Sequence, residues 1–127
     1  MTGQGRRSAS ILVVEDVEAI RKMVCAILVA HGYKCVEAVD GREALQLVED
    51  GGEPFELVLT DMIMPRMNGA ELARNLSRIR PGIPIVYMSG YTEESVIRDV
   101  ANSGAFLAKP FTASALLETV RRSLDGS

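Results

Sequence analysis

Five short apolar runs, each followed by a segment with apolar residues at helical spacing, constrain this chain more than any other feature. The runs are Ile11–Val14, Cys35–Val39, Leu57–Thr60, Ile85–Ser89 and Ala105–Ala108, all of strand length and mostly rich in Val, Ile or aromatic residues. The stripes are Ile20, Val24, Ile27 and Leu28; Ala44, Leu45 and Val48; Leu72, Leu76 and Ile79; Val96, Ile97 and Val100; and Leu116, Leu117, Val120 and Leu124. Helix-start signals agree with this division. Asp40 with Glu43 and Asn68 with Glu71 have capping-box spacing, and Thr92 and Thr112 stand where an N-cap is wanted. Gly32, Gly51-Gly52, Pro81-Gly82 and Gly104 follow the stripes as stop signals. Parallel strands need helical crossovers of this kind, and such crossovers are right-handed. The predicted fold is therefore α/β: a doubly wound, five-stranded parallel sheet, (βα)5, with helices on both faces.

The chain has 127 residues, of which 47% are hydrophobic and 24% charged, enough for one core and far from the composition of a disordered segment. A formal net charge of −3 gives no electrostatic case for nucleic acid or an anionic membrane. No apolar run approaches the ~20 residues of a membrane-spanning helix. The first ten residues, MTGQGRRSAS, lack the apolar stretch of a secretory signal, so the cytoplasm is the expected location. Residues 1–9 read as a flexible arm, 10–124 as one folded unit and 125–127 as a tail.

Ligands of open α/β sheets bind beyond the carboxyl ends of the strands, near the switch in strand order. The first run ends in Glu15-Asp16, the third in Asp61, the fourth in Ser89 and the fifth in Lys109-Pro110. The fold thus delivers acids, a hydroxyl and an ammonium to one edge. Three crowded carboxylates repel one another and call for a cation, and all-oxygen ligands suit Mg²⁺ or Mn²⁺. Lys109 and Ser89 are the right donors for phosphoryl oxygens. Asp61, on the central strand beside the first, is the natural nucleophile, because a carboxylate is already ionised and forms an acyl phosphate.

Singly, these residues have ordinary readings: Glu15 and Asp16 as helix caps, Asp61 and Ser89 as turn residues, Lys109 as a solvated charge. Their joint placement on strand ends argues against that. Other polar signals are read as structural. His31 is expected to cap a helix C-terminus, Cys25 and Cys35 to be small buried thiols, and Met62, Met64 and Met67 to be packing.

The segments ILVVED (11–16), LVLTDMIMPRMNG (57–69), PIVYMSGY (84–91) and FLAKPF (106–111) together resemble the receiver domain of two-component response regulators, chemotaxis receivers included. The resemblance spans residues 10–124 and implies a flavodoxin-like fold with strand order 2-1-3-4-5. By position, it implies Asp61 as phosphoacceptor, and Mg²⁺ held by Asp16, Asp61 and the Ile63 carbonyl, with Glu15 acting through water. Ser89 and Lys109 would bind the phosphoryl group. Ser89 and Phe106 would act as switch residues, with Tyr91 a second candidate for that role. Met64-Pro65 and Gly69 match the turn into the third helix, and the Lys109-Pro110 peptide is often cis in the family.

The implied activity is to take a phosphoryl group from a phosphohistidine on a histidine kinase or histidine phosphotransfer protein and to hydrolyse the product slowly. Such a module catalyses its own phosphorylation and is not an enzyme toward other substrates. Phosphorylation would bias a partner-binding face built from the fourth helix, fifth strand and fifth helix. The Glu-Asp pair departs from the commoner Asp-Asp, which lengthens one arm but keeps the charge. Ile63 and Tyr91 are both able to screen attacking water, which predicts a long-lived phosphoryl state. The SGYT stretch (89–92) resembles receivers attached to hybrid sensor kinases. The competing enzyme reading is a haloacid-dehalogenase-like, Mg²⁺-dependent phosphohydrolase, but the Asp-x-Asp motif it expects is absent at Asp61-Met62-Ile63. A flavodoxin-like electron carrier would need a phosphate loop where acidic VEDVEA stands.

Overall fold

The computed structural model describes residues 9–51, 54–62, 67–89 and 105–125. Ile63, Met64, Pro65, Tyr91, Thr92 and the stripe of Val96, Ile97 and Val100 lie outside them, as do residues 1–8, 52–53, 104 and 126–127. The strands are β1 (Ser10–Val14), β2 (Lys34–Ala38), β3 (Leu57–Asp61), β4 (Ile85–Ser89) and β5 (Ala105–Ala108). The helices among the described residues are α1 (Glu18–Ala30), α2 (Gly41–Glu49), α3 (Gly69–Ile79) and α4 (Ala113–Leu124), the last carrying the fifth apolar stripe. All strand pairs are parallel, in the order β2-β1-β3-β4-β5. The flavodoxin-like order expected from the resemblance is the one found.

Strand side chains alternate between two faces, and the core divides accordingly. Ile11, Val13, Leu57, Leu59, Val86 and Met88 meet Val24 and Leu28 of α1 and Leu116, Val120 and Leu124 of α4. Leu12, Val14, Val58, Ile85 and Tyr87 meet Ala44 and Val48 of α2 and Leu72 and Leu76 of α3. Every residue of β1, β3 and β4 is buried, which explains their continuous apolar runs. β2 is an edge strand, more open and led by the exposed Lys34.

Helix ends follow the expected chemistry at most positions. The Asn68 side chain accepts from Glu71 N–H at 2.8 Å and the Glu71 carboxylate accepts from Asn68 N–H at 3.2 Å, a complete capping box. The Asp40 carboxylate accepts from Glu43 N–H at 2.9 Å, while Glu43 reaches one residue further back, to Val39 N–H at 2.7 Å. Thr112 Oγ1 accepts from Ala115 N–H at 3.0 Å. His31 caps α1 as expected, its Nδ1–H donating to the Ile27 carbonyl at 3.0 Å, before Gly32 turns the chain at φ 93°.

One expectation is corrected. Cys25 and Cys35 are not separate thiols but a disulfide joining α1 to β2. Their Cα atoms are 5.8 Å apart, within the range a disulfide spans, because α1 packs back across the edge strand that follows it.

Candidate functional site

The first pair of strands runs outward from β1 to β2, and the remaining strands run the other way from β3. The loops after β1 and β3 therefore diverge and leave a crevice, and the acids stand at its rim. Carboxylate oxygens of Glu15, Asp16 and Asp61 all lie within 4.8 Å of one another. Lys109, just past β5, reaches into the crevice from two strands away. Its Nζ donates to Glu15 Oε1 at 3.0 Å and to Asp61 Oδ1 at 3.1 Å.

The backbone holds each acid in place. The Glu15 N–H donates to the Ala38 carbonyl at 3.1 Å, extending the β1–β2 ladder by one rung. Its carboxylate accepts from Val17 N–H at 3.2 Å. Val17 is the N-cap of α1 without a side-chain bond, so neither acid serves as that cap. Asp61 closes β3 opposite Met88, and its Oδ1 also accepts from Met62 N–H at 3.0 Å. Gly69 N–H donates to the Met62 carbonyl at 2.8 Å, pulling the start of α3 against the end of β3. A Cβ at Gly69 would lie 2.7 Å from the Asp61 carbonyl oxygen, so this approach needs glycine.

Ser89 ends β4 one residue beyond the partner of Asp61 and is buried, and its carbonyl accepts from Lys109 N–H at 2.8 Å. The Lys109-Pro110 peptide is cis. Phe106 pairs in register with Tyr87 and packs on the α2/α3 side of the sheet. The structure thus gathers Glu15, Asp16, Asp61 and Lys109 into contact range. It puts Ser89 at the same edge and leaves Phe106 on the flank; Ile63 and Tyr91 are outside the described residues.

Burial pushes the Glu15 carboxyl up from its ordinary range; Lys109 opposes this and the Asp61 charge adds to it. Burial likewise pushes the Asp61 carboxyl up, against Lys109 and with the help of Asp16. For Lys109, burial alone would lower the ammonium's affinity for its proton, but Glu15 and Asp61 outweigh it and raise the pKa. One ammonium therefore does not fully compensate the acids. A site in which ionised carboxylates remain disfavoured, with only oxygen donors converging, fits a hard divalent cation such as Mg²⁺.

Two residues at the site were not anticipated. Arg21 Nη1 donates to the Glu15 carbonyl at 2.9 Å, and its Nε donates to Glu37 Oε1 on β2 at 2.8 Å. Arg21 shares the buried face of α1 with Val24, Cys25 and Leu28. A charge on that stripe, and the acid Glu37 within an apolar strand run, were the available signals.

Residues 11–121 match the family described as response regulator receiver domain. The chain is 37% identical over 120 residues to the sensor kinase CckA of Brucella abortus, covering 93% of this chain but 13% of that protein. It is 31% identical to the chemotaxis protein CheY of Bacillus subtilis, covering 91% of this chain and 97% of that one. Among solved structures, the receiver domain of the hybrid histidine kinase CckA superposes with a TM-score of 0.77 at 31% identity, covering 91% and 99% of the two chains. None of these supports the phosphohydrolase reading. The strand order, the acids at the switch point, the lysine reaching them from β5 and the family match lead to one statement: this chain belongs to the response regulator receiver domain family of two-component phosphorelays.

Proposed function

We propose that Asp61 accepts a phosphoryl group from a phosphohistidine on a histidine kinase or histidine phosphotransfer protein. The observation that carries this reading is the pair of contacts from Lys109 Nζ to Asp61 Oδ1 and Glu15 Oε1, beside a cluster of three acids that a single ammonium compensates only in part. Oδ1 already accepts from Lys109 and Met62, which makes Oδ2 the attacking atom. The Oδ2–phosphorus bond forms as the phosphorus–nitrogen bond of the donor breaks, and the imidazole nitrogen leaves with the electron pair and takes up a proton. Lys109 then turns to the phosphoryl oxygens, where charge is spread in the transition state. The Ser89 hydroxyl donates to the same group. Water later attacks phosphorus, releasing inorganic phosphate and restoring the carboxylate.

Asp16, Asp61 and the Ile63 carbonyl would hold Mg²⁺ (or Mn²⁺), with Glu15 reaching it through water. When bound there, the ion would supply positive charge that offsets the repulsion between an anionic side chain and an anionic donor. Movement of Ser89, with Phe106 and Tyr91, would transmit the charge change to a downstream protein through the face of β5, α4 and the fourth apolar stripe. We place the protein in the cytoplasm on the family's donor chemistry alone; no described helix is long and apolar enough to cross a membrane.

Incubation with acetyl phosphate and Mg²⁺, followed by intact-mass measurement, tests the reading. The wild type should gain one phosphoryl group; Asp61→Asn, or the wild type with a chelator, should gain none. Labelling that survives either change, or repeated turnover of phosphomonoesters, refutes it.

A further inference from the structure

Arg21 is 8% exposed, and its guanidinium makes two directional bonds to two different elements. Nε binds the Glu37 carboxylate on β2 at 2.8 Å, and Nη1 binds the Glu15 carbonyl oxygen at 2.9 Å. That carbonyl belongs to the peptide joining Glu15 to Asp16. Holding that one peptide plane restrains the two rotations beside it, ψ of Glu15 and φ of Asp16, through which both acids leave the backbone. Glu15 turns inward to Lys109, its side chain fully buried, while Asp16 stays exposed at the rim. The peptide before Glu15 is held separately, by the Glu15 N–H bond to the Ala38 carbonyl. Val17, which follows the acids, has no side-chain bond to the helix start.

Glu37 is in turn held by two cations. Arg21 and then Lys22, whose Nζ lies 3.1 Å from Glu37 Oε2, keep its carboxyl below the ordinary range. The guanidinium is thus anchored on the edge strand while its other arm points at the acid pair. A lysine could supply the charge but not the fork: it has one nitrogen where the guanidinium sends Nε to Glu37 and Nη1 to the Glu15 carbonyl as two separate arms of one rigid plane.

We propose that Arg21 is a positioning residue for the metal-holding acids: by clamping the Glu15–Asp16 peptide to Glu37 of β2, it sets the geometry in which Glu15, Asp16 and Asp61 converge. This rests on the reading that those acids hold Mg²⁺. The alternative is a purely structural ion pair that fastens α1 to the sheet. Outer groups that orient metal ligands have a measurable signature, since their loss lowers metal affinity by ~10–100-fold without touching a ligand.

The experiment is Mg²⁺ titration by calorimetry, with urea unfolding of the same samples in the absence of metal. Arg21→Met keeps most of the apolar stem and removes both bonds; Arg21→Lys keeps the charge; Glu37→Gln keeps an acceptor oxygen for Nε but removes the ion pair. Mg²⁺ affinity should fall about tenfold in Arg21→Met and nearly as far in Arg21→Lys. Glu37→Gln, the control for lost stability alone, should be less stable while keeping its affinity within about twofold, so that the fall in the Arg21 variants is not a by-product of a weaker fold. If Arg21→Met fails to fold, Arg21→Lys carries the same comparison. Wild-type affinity in both Arg21 variants, with reduced stability, overturns the positioning role and leaves the phosphoacceptor reading intact. A wild type that takes up no Mg²⁺ overturns both.

Discussion

Gly41 and Gly69 provide a matched pair. Each is the first residue of a helix, each follows a side chain that caps that helix, and neither has a positive φ. Replacing either with alanine should bring a similar gain in helix propensity, at most ~1 kcal/mol and less in the first turn. The surroundings differ. At Gly41 the new methyl would meet the half-buried Met67, whose Sδ at 2.9 Å and Cγ at 3.1 Å can rotate away, leaving only its Cβ at 3.1 Å to give by a few tenths of an ångström. At Gly69 it would meet backbone: the Asp61 carbonyl oxygen at 2.7 Å and Met62 Cα at 3.1 Å. Restoring an ordinary contact of 3.4 Å moves the end of β3 or the start of α3 by about 0.7 Å. Overpacking against rigid surroundings costs ~1–3 kcal/mol. Gly69→Ala should therefore lose about 1–2 kcal/mol net, a Tm lower by roughly 4–10 °C. Gly41→Ala should stay within ~0.5 kcal/mol of the wild type. With no Trp in the chain, thermal and urea unfolding are best followed by circular dichroism. A Gly69→Ala protein as stable as the wild type, or indistinguishable from Gly41→Ala, would refute the reasoning.

Asp61→Asn should raise stability at neutral pH, because burial and the Asp16 charge push the Asp61 carboxyl up in the folded state. With the folded pKa above the unfolded one, the wild type regains this stability as pH falls through the folded value, so the gap between the two proteins should close on acidification. Urea midpoints at pH 7 and 5 read this, and a gap that widens on acidification contradicts it. Lys109→Met leaves the fully buried Glu15 side chain facing Asp61 without the ammonium. Truncating a sealed pair costs ~3–5 kcal/mol; here, with Lys109 partly open to solvent, the expected loss at pH 7 is ~2–3 kcal/mol. Unchanged denaturant midpoints would show that the ammonium does not stabilise the apo site. Asn68→Ala removes one half of the α3 capping box and should cost ~1 kcal/mol with the m-value unchanged. A loss below ~0.2 kcal/mol would mean that water replaces the cap.

Much of this molecule is readable from two periodicities. Ile11 and Val13 go to one face and Leu12 and Val14 to the other, so a sequence with no polar residue from 11 to 14 reports a strand covered on both sides. Glu15, Asp61, Ser89 and Lys109 are legible because each terminates such a strand, and parallel strands place their ends along one edge. Arg21 is a different case. It sits at a core position of α1, where helical spacing predicts an apolar residue, and its partners lie on β2 and at the end of β1. Cys25 and Cys35 fail for the same reason: their pairing depends on how α1 lies across the edge strand, which neither local pattern encodes. Sequence periodicity describes what an element buries, and it is silent on which neighbour that element finds.

The two contacts that bring an ammonium to the acids join residues 94 and 48 positions apart. During synthesis on the ribosome, β1 and β3 are available to pair well before Lys109 exists. Until then no ammonium from beyond β5 can reach Glu15 and Asp61. Docking of the last strand and completion of the Lys109 contacts are then one event, which closes long loops. A substitution that delays β5 would therefore leave the acid cluster without its ammonium and lower folding yield together, without altering Glu15, Asp16, Asp61 or Lys109.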